Sequence, residues 1–197
     1  MRTFRALDLL LVLGCVFAAR IAVAADDPKA DEPKKDQAIT LAEGKFAVTA
    51  PDKWVRKQPK SRIIEHEFSV PAAEGDSEDG RLTVMGAGGA IEDNLTRWIG
   101  QFIQPDPNDI KKDKKTVAGQ EVHSLDISGT YKDMPGGPVA AGKSIERPDY
   151  RMLAVIIVTK DGDTPTGNYF IKLYGPKKTI AANEAAFAKM IAGLEKK

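Results

Sequence analysis

The chain has 197 residues, 29% of them charged, and a formal net charge of +1, which is the composition of an ordinary globular protein. Its first 24 residues hold Arg2, Arg5, Arg20 and Asp8, and the remainder has 26 basic and 27 acidic residues, a net charge of −1. So small a charge gives no general attraction for polyanions. We therefore expect no nucleic-acid partner, and a membrane contact only through the first residues.

Residues 1–24 have the pattern of a cleavable signal peptide. Arg2 and Arg5 form a positive start, Leu9–Leu13 forms an apolar centre, and Ala22–Ala24 supplies the small-x-small pattern of a cleavage site. The apolar run is too short to span a bilayer. We predict cleavage after this motif and export to the periplasm or the outside of the cell.

The single cysteine, Cys15, lies in this leader, so the mature domain has no thiol for a disulfide, a nucleophile or a metal site. The segment Val12–Cys15 resembles a bacterial lipobox, which predicts an alternative product, a lipid-anchored structural envelope protein. Against this alternative, the apolar stretch continues past the cysteine through Val16–Ala19. We keep a freely exported product as the main prediction.

Residues 25–38 consist largely of Asp, Lys and Pro, and residues 39–197 carry the apolar patterns of a folded domain. A segment with so few apolar side chains cannot offset its ordering entropy by burial. The sequence therefore predicts a disordered charged tether followed by one domain.

The first half of the domain shows short strand patterns. Strands are predicted at 39–41, 45–49, 54–55, 64–70 and 81–85. In the fourth of these, Ile64, His66, Phe68 and Val70 alternate with polar residues, which is the period of a strand with one apolar face.

A helix is predicted over 91–104, because Ile91, Leu95 and Trp98 begin an apolar stripe with helical spacing. Pro105 ends this helix because it cannot continue the hydrogen-bond ladder. The polar residues 106–115 are predicted to form a loop, and residues 118–120 a hairpin turn.

The second half continues with a strand at 122–131, a long Gly/Pro loop at 133–148, strands at 152–158 and 169–174, and a helix at 179–195. The strand at 152–158 is apolar without alternation, which indicates cover on both faces. Together these elements predict an α+β domain with a mostly antiparallel sheet. Helices are expected on both of its faces, as in an α/β/α sandwich.

Two separated segments, 94–102 and 150–176 with the helix that bears Phe187, resemble a family of exported bacterial proteins of unassigned function. The strand-helix order and the turn Pro51–Trp54 also resemble the fold shared by the photosystem extrinsic protein PsbP and the Ran-binding protein Mog. The resemblance covers about residues 46–194 and implies the sandwich fold and action by docking onto larger partners. It brings no catalytic residue, and the metal-binding positions of PsbP do not map onto this chain.

One edge of the first helix carries Asn94, Arg97 and Gln101 beside Trp98, which we expect to be partly exposed. Trp and Arg are favoured anchors of binding surfaces, so this edge and the loop 133–148 are the predicted contact surfaces. The main hypothesis is an exported, non-enzymatic binding or assembly module with an envelope or extracellular protein partner.

The alternative hypothesis is a small-ligand carrier or a hydrolase-type enzyme that uses the sheet face near His66 and His123, the only histidines. These two residues would face each other on adjacent strands. No metal-ligand spacing, catalytic triad or cofactor motif accompanies them. The run Gly86–Gly89 lacks a phosphate-binding pattern and is interpreted as a structural turn. We predict no catalytic residues, metal or cofactor.

Overall fold

The computed structural model describes residues 37–134 and 144–197. The predictions for the leader with Cys15, for residues 25–36 of the tether and for residues 135–143 of the Gly/Pro loop lie outside the described residues. Within the described ranges the chain forms a mostly antiparallel sheet and two α-helices, so the predicted α+β fold is confirmed. No helix in these ranges is long and apolar enough to cross a membrane.

The described residues form eleven strands and two α-helices. The strands are β1 (Ala38–Leu41), β2 (Phe46–Thr49), β3 (Val55–Lys57), β4 (His66–Val70), β5 (Gly80–Ala87), β6 (Phe102–Ile103), β7 (Ile110–Val117), β8 (Gln120–Asp133), β9 (Ile145–Asp161), β10 (Thr164–Pro176) and β11 (Glu195–Lys196). The helices are α1 (Ile91–Ile99) and α2 (Lys177–Ala192). Gln37, just before β1, is buried and donates to the carbonyls of Pro51 and Trp54, both at 2.9 Å. The fold therefore begins before residue 39.

Eight strands form one large antiparallel sheet in the order β3-β4-β5-β10-β9-β8-β6, with β7 pairing β8 beside β6. A small second sheet has the order β1-β2-β11. The predicted turn at residues 118–120 joins β7 to β8, and Ala118 and Gly119 both take the positive φ of a tight hairpin. The long strands β8, β9 and β10 form the middle of the large sheet.

Strand β9 is buried on both faces, as its unbroken apolar run predicts. Leu153 and Val155 pack in one cluster with α2 and the small sheet, on what we term the α2 side. Met152 and Ile156 pack in a second cluster with Trp98 of α1, on the α1 side. The large sheet therefore separates two apolar cores.

The prediction that helices cover both faces is not supported. Helix α2 has 16 residues and packs along the α2 side, but α1 has only nine. The ring of Trp98 in α1 packs edge-on against the ring of Phe170, with the centroids 5.1 Å apart. The helix ends at Gly100, which is its C-cap residue. Because the chain then returns to the sheet as β6, no described helix covers the α1 side of β3 and β4.

Two predicted loops are partly strand. Most of the predicted loop 106–115 belongs to β7, whose central side chains are all exposed. A strand that is exposed on both faces lacks the alternating pattern from which strands are recognised. Residues 145–148 of the predicted Gly/Pro loop belong to β9, and pair with β8 as far as Ile145.

Candidate functional site

Three of the four tyrosines converge on the α1 side of the large sheet, at the margin of the core that holds Trp98; Tyr131 is buried, and Tyr150 and Tyr174 are partly exposed. Tyr131 stacks on Tyr150 with ring centroids 6.0 Å apart and an interplanar angle of 6°, and lies 5.4 Å from Tyr174. Charged side chains border these rings on the same side. We name this surface the tyrosine face, and it comprises Glu67, Arg81, Tyr131, Tyr150, Lys172 and Tyr174.

The strand register explains why these rings meet. Tyr174 of β10 lies opposite Arg81 of β5, and Tyr150 of β9 lies opposite Gly129 of β8. Gly129 has a φ of +147°, and the register of β8 shifts between this glycine and Tyr131. The irregularity turns Tyr131 toward its neighbours, while the missing side chain at Gly129 leaves space beside Phe102.

Arg81 is fixed by a two-point ion pair at the border of the face. Its Nε and Nη2 donate to the two carboxylate oxygens of Glu67 at 2.9 Å each, and its Nη1 donates to the hydroxyl of Tyr174 at 2.6 Å. The hydrogen bonds that Arg81 donates to Glu67 are the main reason why the pKa of Arg81 is raised. This geometry holds the positively charged Arg81 side chain, which is 42% exposed, in one orientation.

The three phenols stay neutral because burial raises the pKa of Tyr131, Tyr150 and Tyr174 above the ordinary value. A neutral phenol can donate a hydrogen bond. Tyr150 donates to Glu78 at 2.7 Å. Tyr174 accepts from Arg81, and no described residue accepts its own proton. The hydroxyl of Tyr131 has no partner among the described residues either, so the face offers rigid rings with two hydroxyl protons that no described residue accepts.

Lys172 is a half-buried amine beside the tyrosines. Its Nζ donates to Oε1 of Gln101 at 2.8 Å and lies 5.7 Å from the ring centroid of Trp98 and 5.5 Å from that of Tyr174. No described carboxylate pairs with it. Burial, and then the positive charge of nearby arginines, lowers its pKa to about 7. An anion of a ligand could therefore pair with the protonated amine of Lys172, which no described carboxylate balances.

A polar cavity of about 290 Å³ adjoins the face beyond Tyr150. Arg147 closes one side by donating to Glu78 at 2.9 Å and to Asp133 at 3.4 Å. The cavity is lined by Gly75, Asp76, Ser77, Glu78, Arg147, Pro148, Asp149, Tyr150 and Pro176. The tyrosine face therefore continues into a polar recess at the end of the β8–β9 hairpin.

The predicted docking edge of α1 borders the tyrosine face, but only part of it is accessible. Asn94 and Trp98 are each 3% exposed, so the expectation of a partly exposed Trp98 is wrong. The tryptophan lies on the same stripe as the other apolar residues of α1 and packs inward. Arg97 is exposed, and Gln101 is half-buried and holds Lys172. A binding role for these residues stays a prediction.

Asn94 ties α1 to the glycine turn before it. Its Nδ2 donates to the carbonyls of Gly88 and Ala90 at 3.2 and 2.9 Å, and its Oδ1 accepts from Arg97. Replacing Asn94 by alanine removes these three side-chain hydrogen bonds, two of which tie α1 to this turn, and should lower the free energy of unfolding by about 1 kcal/mol. Urea unfolding measures the loss. Replacing the exposed Thr96 by alanine is the control, and an equal loss there would contradict this role for Asn94.

His66 lies on the α2 side of the large sheet, opposite Val84, which belongs to the α2-side core. Its Nδ1 accepts from Arg56 at 2.9 Å, and its Nε2 donates to the carbonyl of Thr40 at 3.3 Å. Burial, and then the charge of Arg56, lowers its pKa, which keeps the ring neutral. This histidine joins the small sheet to the large one.

His123 lies on the α1 side, opposite Ile156, and hydrogen-bonds to Glu121. Strands β5, β10 and β9 separate it from His66, which faces the opposite side of the sheet. The two imidazoles therefore do not share a site as the alternative hypothesis requires. Among residues 37–134 and 144–197, no group of three or more His, Cys, Asp or Glu side chains is placed to hold a metal ion.

No protein-family model matches the chain, and no curated protein matches it. Its backbone is similar to that of cyanobacterial PsbP (CyanoP) from Synechocystis sp. PCC 6803, with a TM-score of 0.46 and 11% identity over 82% of this chain and 92% of that one. It is also similar to PA94 from Pseudomonas aeruginosa, a protein of unknown function, with a TM-score of 0.45 and 15% identity over 81% and 96% of the two chains. At this level a likeness supports no inference about function.

Proposed function

We propose that the protein is an exported, non-enzymatic binding module that holds an envelope or extracellular protein partner through the tyrosine face. The observation that carries the proposal is the convergence of three tyrosines with Arg81 and Lys172 on one side of the sheet, beside α1. Tyrosine and arginine are enriched in protein interfaces and in their energetic hot spots.

The chemistry of the face indicates the kind of partner it fits. Tyrosine rings supply rigid apolar area and lose little entropy on binding. Lys172 and the hydroxyl proton of Tyr174 would both be satisfied by a carboxylate on the partner. Arg97 and Gln101 then form the α1 border of the same surface, which unites the predicted docking edge with the tyrosine face.

Capture and affinity measurements test this proposal. The immobilised protein is exposed to envelope extract, the retained proteins are identified by mass spectrometry, and the most enriched one is purified for titration. Tyr150→Ala and Arg97→Ala should each weaken binding at least about tenfold, because each removes an anchor at a different border of the face. Ile63→Ala removes an exposed apolar side chain elsewhere and should leave binding unchanged.

Circular dichroism of each variant separates lost binding from lost folding. Two variants at opposite borders keep the test decisive even if one of them unfolds. If both remain folded and bind the purified protein as tightly as the Ile63→Ala control does, the tyrosine face is not the contact surface.

Export rests on the predicted leader, and intact-mass analysis of the native protein tests it. Export as a free protein predicts a chain that begins at Ala25. The lipid-anchored alternative predicts a chain that begins at Cys15 and carries additional acyl mass. A native chain that retains its first 14 residues would contradict both forms of the proposal.

A further inference from the structure

Strand β7 is an exposed edge of the large sheet. It pairs with β8 along its whole length, and no described strand pairs with its other edge. Four of its eight residues are lysines, and its six central side chains are exposed. An edge strand leaves alternate backbone N–H and C=O groups without strand partners, and a further extended chain can use them.

A groove runs beside this edge on the α2 side of the sheet. It has a volume of about 240 Å³ and lies between β7 and α2. Its apolar part is formed by Leu153 and Val155 of β9 with Phe187 and Ile191 of α2. Along β7, its border consists of Lys111, Lys112, Asp113 and Lys115, and the side chain of Lys112 turns to the other side of the strand, toward Glu92. We name Lys111 and Lys115 the rim lysines.

Two carboxylates at the groove, those of Asp126 and Glu184, are held by Arg151. This arginine donates to both oxygens of Asp126 at 2.8 Å each and reaches Glu184 of α2 at 2.8 Å. The arginine is largely buried, with a side-chain exposure of 12%, so the three groups form a fixed bridge between the sheet and α2. One arginine balances only one of the two negative charges, but neither of these acids forms an ion pair with a rim lysine.

The lysines on the other side of β7 have partners. Lys112 pairs with Glu92 at 2.9 Å, and Lys114 pairs with Glu121 at 2.8 Å. The rim lysines have no ion-pair partner among the described residues. The uncompensated positive charge of β7 is thus confined to the side that carries the groove, and the two charges stand four residues apart with Asp113 between them.

We propose that β7 accepts an extended acidic segment of a partner protein as an additional strand. Side chains on one face of a strand recur at every second residue. A segment with the pattern acidic–x–apolar–x–acidic therefore places its two carboxylates opposite the rim lysines and its apolar side chain between them, on the same side of the sheet as the groove and at the outer border of β7. The backbone edge supplies hydrogen bonds, while the rim lysines supply selectivity.

The same charges argue against a second copy of this chain as the occupant. Pairing two β7 edges would set lysines against lysines across the strands, and like charges directly opposite each other are destabilising. An acidic segment turns that repulsion into attraction. The proposal does not depend on the tyrosine face, because β7 lies at the β8 end of the sheet and its groove opens on the α2 side.

A synthetic peptide, Thr-Glu-Thr-Leu-Thr-Glu-Thr with blocked ends, tests the site by NMR titration of the labelled protein. Binding should shift and protect alternate amides of β7 and should weaken as salt is added. The double substitution Lys111→Gln/Lys115→Gln should weaken binding at least tenfold. The matched control, Lys112→Gln/Lys114→Gln, removes the same charge from the same strand on its other side and should weaken binding less than threefold.

Five results would overturn the proposal. The first is an equal loss in the two double variants, which indicates general charge attraction only. The second is equal binding of a peptide in which the leucine has exchanged places with a neighbouring threonine. The third is a peptide that binds as a helix. The fourth is a doubling of the protein's mass in sedimentation without peptide, with β7 amides protected. Shifts that fall on the tyrosine face would also contradict it.

Discussion

Replacing Lys172 with methionine should stabilise the protein by about 2 kcal/mol at pH 6 and by only about 1 kcal/mol at pH 9. The wild-type amine lies beside two aromatic rings and an amide oxygen, with no described carboxylate to balance its charge. Its pKa falls from 10.5 to about 7, so the folded state disfavours the charged form. Methionine has a similar length and needs no compensating charge.

The direction of the pH effect follows from proton binding. Below about pH 7, Lys172 is protonated in both folded and unfolded chains, and the cost of enclosing its charge is fully present. Between pH 7 and 10.5 the unfolded chain holds a proton that the folded chain does not, so wild-type stability rises with pH. The figure of about 2 kcal/mol is smaller than the full shift implies because the side chain is only half-buried.

Urea unfolding at pH 6 and pH 9, followed by fluorescence of the two tryptophans, measures this difference. The control is Lys160→Met, which makes the same chemical change at an exposed position of β9. Its effect on stability should be small and should not depend on pH. If the Lys172→Met variant showed the same difference from wild type at both pH values, the amine would not be enclosed as described.

The expected gain on removing Lys172 bears on the proposed function. A side chain that weakens the fold but lies at the centre of a polar and aromatic surface is typical of a site shaped for binding rather than for stability. A carboxylate brought by a partner would favour the protonated amine. Binding at pH 8 should therefore take up a proton.

The apolar periodicity predicted most of the strands and both helices, because the buried faces of β4, β8 and α1 repeat at the spacing of their elements. Strand β7 was not predicted because it has no buried face along most of its length. Its six central side chains are exposed, and the strand is held mainly by backbone pairing with β8, which gives no pattern in the sequence. Helix α1 ends earlier than its pattern suggests because Phe102 reaches the core from a strand rather than from a helix.

The tyrosine face was not predictable because its members come from five strands that are far apart in the sequence. Tyr131, Tyr150 and Tyr174 meet only through the register of β8, β9 and β10, which a single sequence does not reveal. One signal was present, since all four tyrosines fall at or near the ends of predicted strands. The α1 edge was easier to detect, because local spacing alone brings Asn94 and Arg97 together.

Arg81 is the residue of the tyrosine face whose loss should weaken the fold most. Replacing it with methionine removes both hydrogen bonds to Glu67 and the one to Tyr174. It leaves the carboxylate of Glu67, whose side chain is only 15% exposed, without its cation. We expect the free energy of unfolding to fall by about 2 kcal/mol, which is below the cost for a fully buried pair because Arg81 itself is partly exposed.

A double-mutant cycle with Glu67→Gln separates the ion pair from the packing of the arginine stem. Once Glu67 is neutral, Arg81→Met should cost about 1 kcal/mol less than it does in the wild type, because no buried charge is left unpaired. Arg81→Lys is the matched control, since it keeps the charge but cannot bind both carboxylate oxygens. If the Arg81→Met variant lost the same stability whether residue 67 were Glu or Gln, the pair would not fix this border of the face. Arg81 would then contribute through Tyr174 alone.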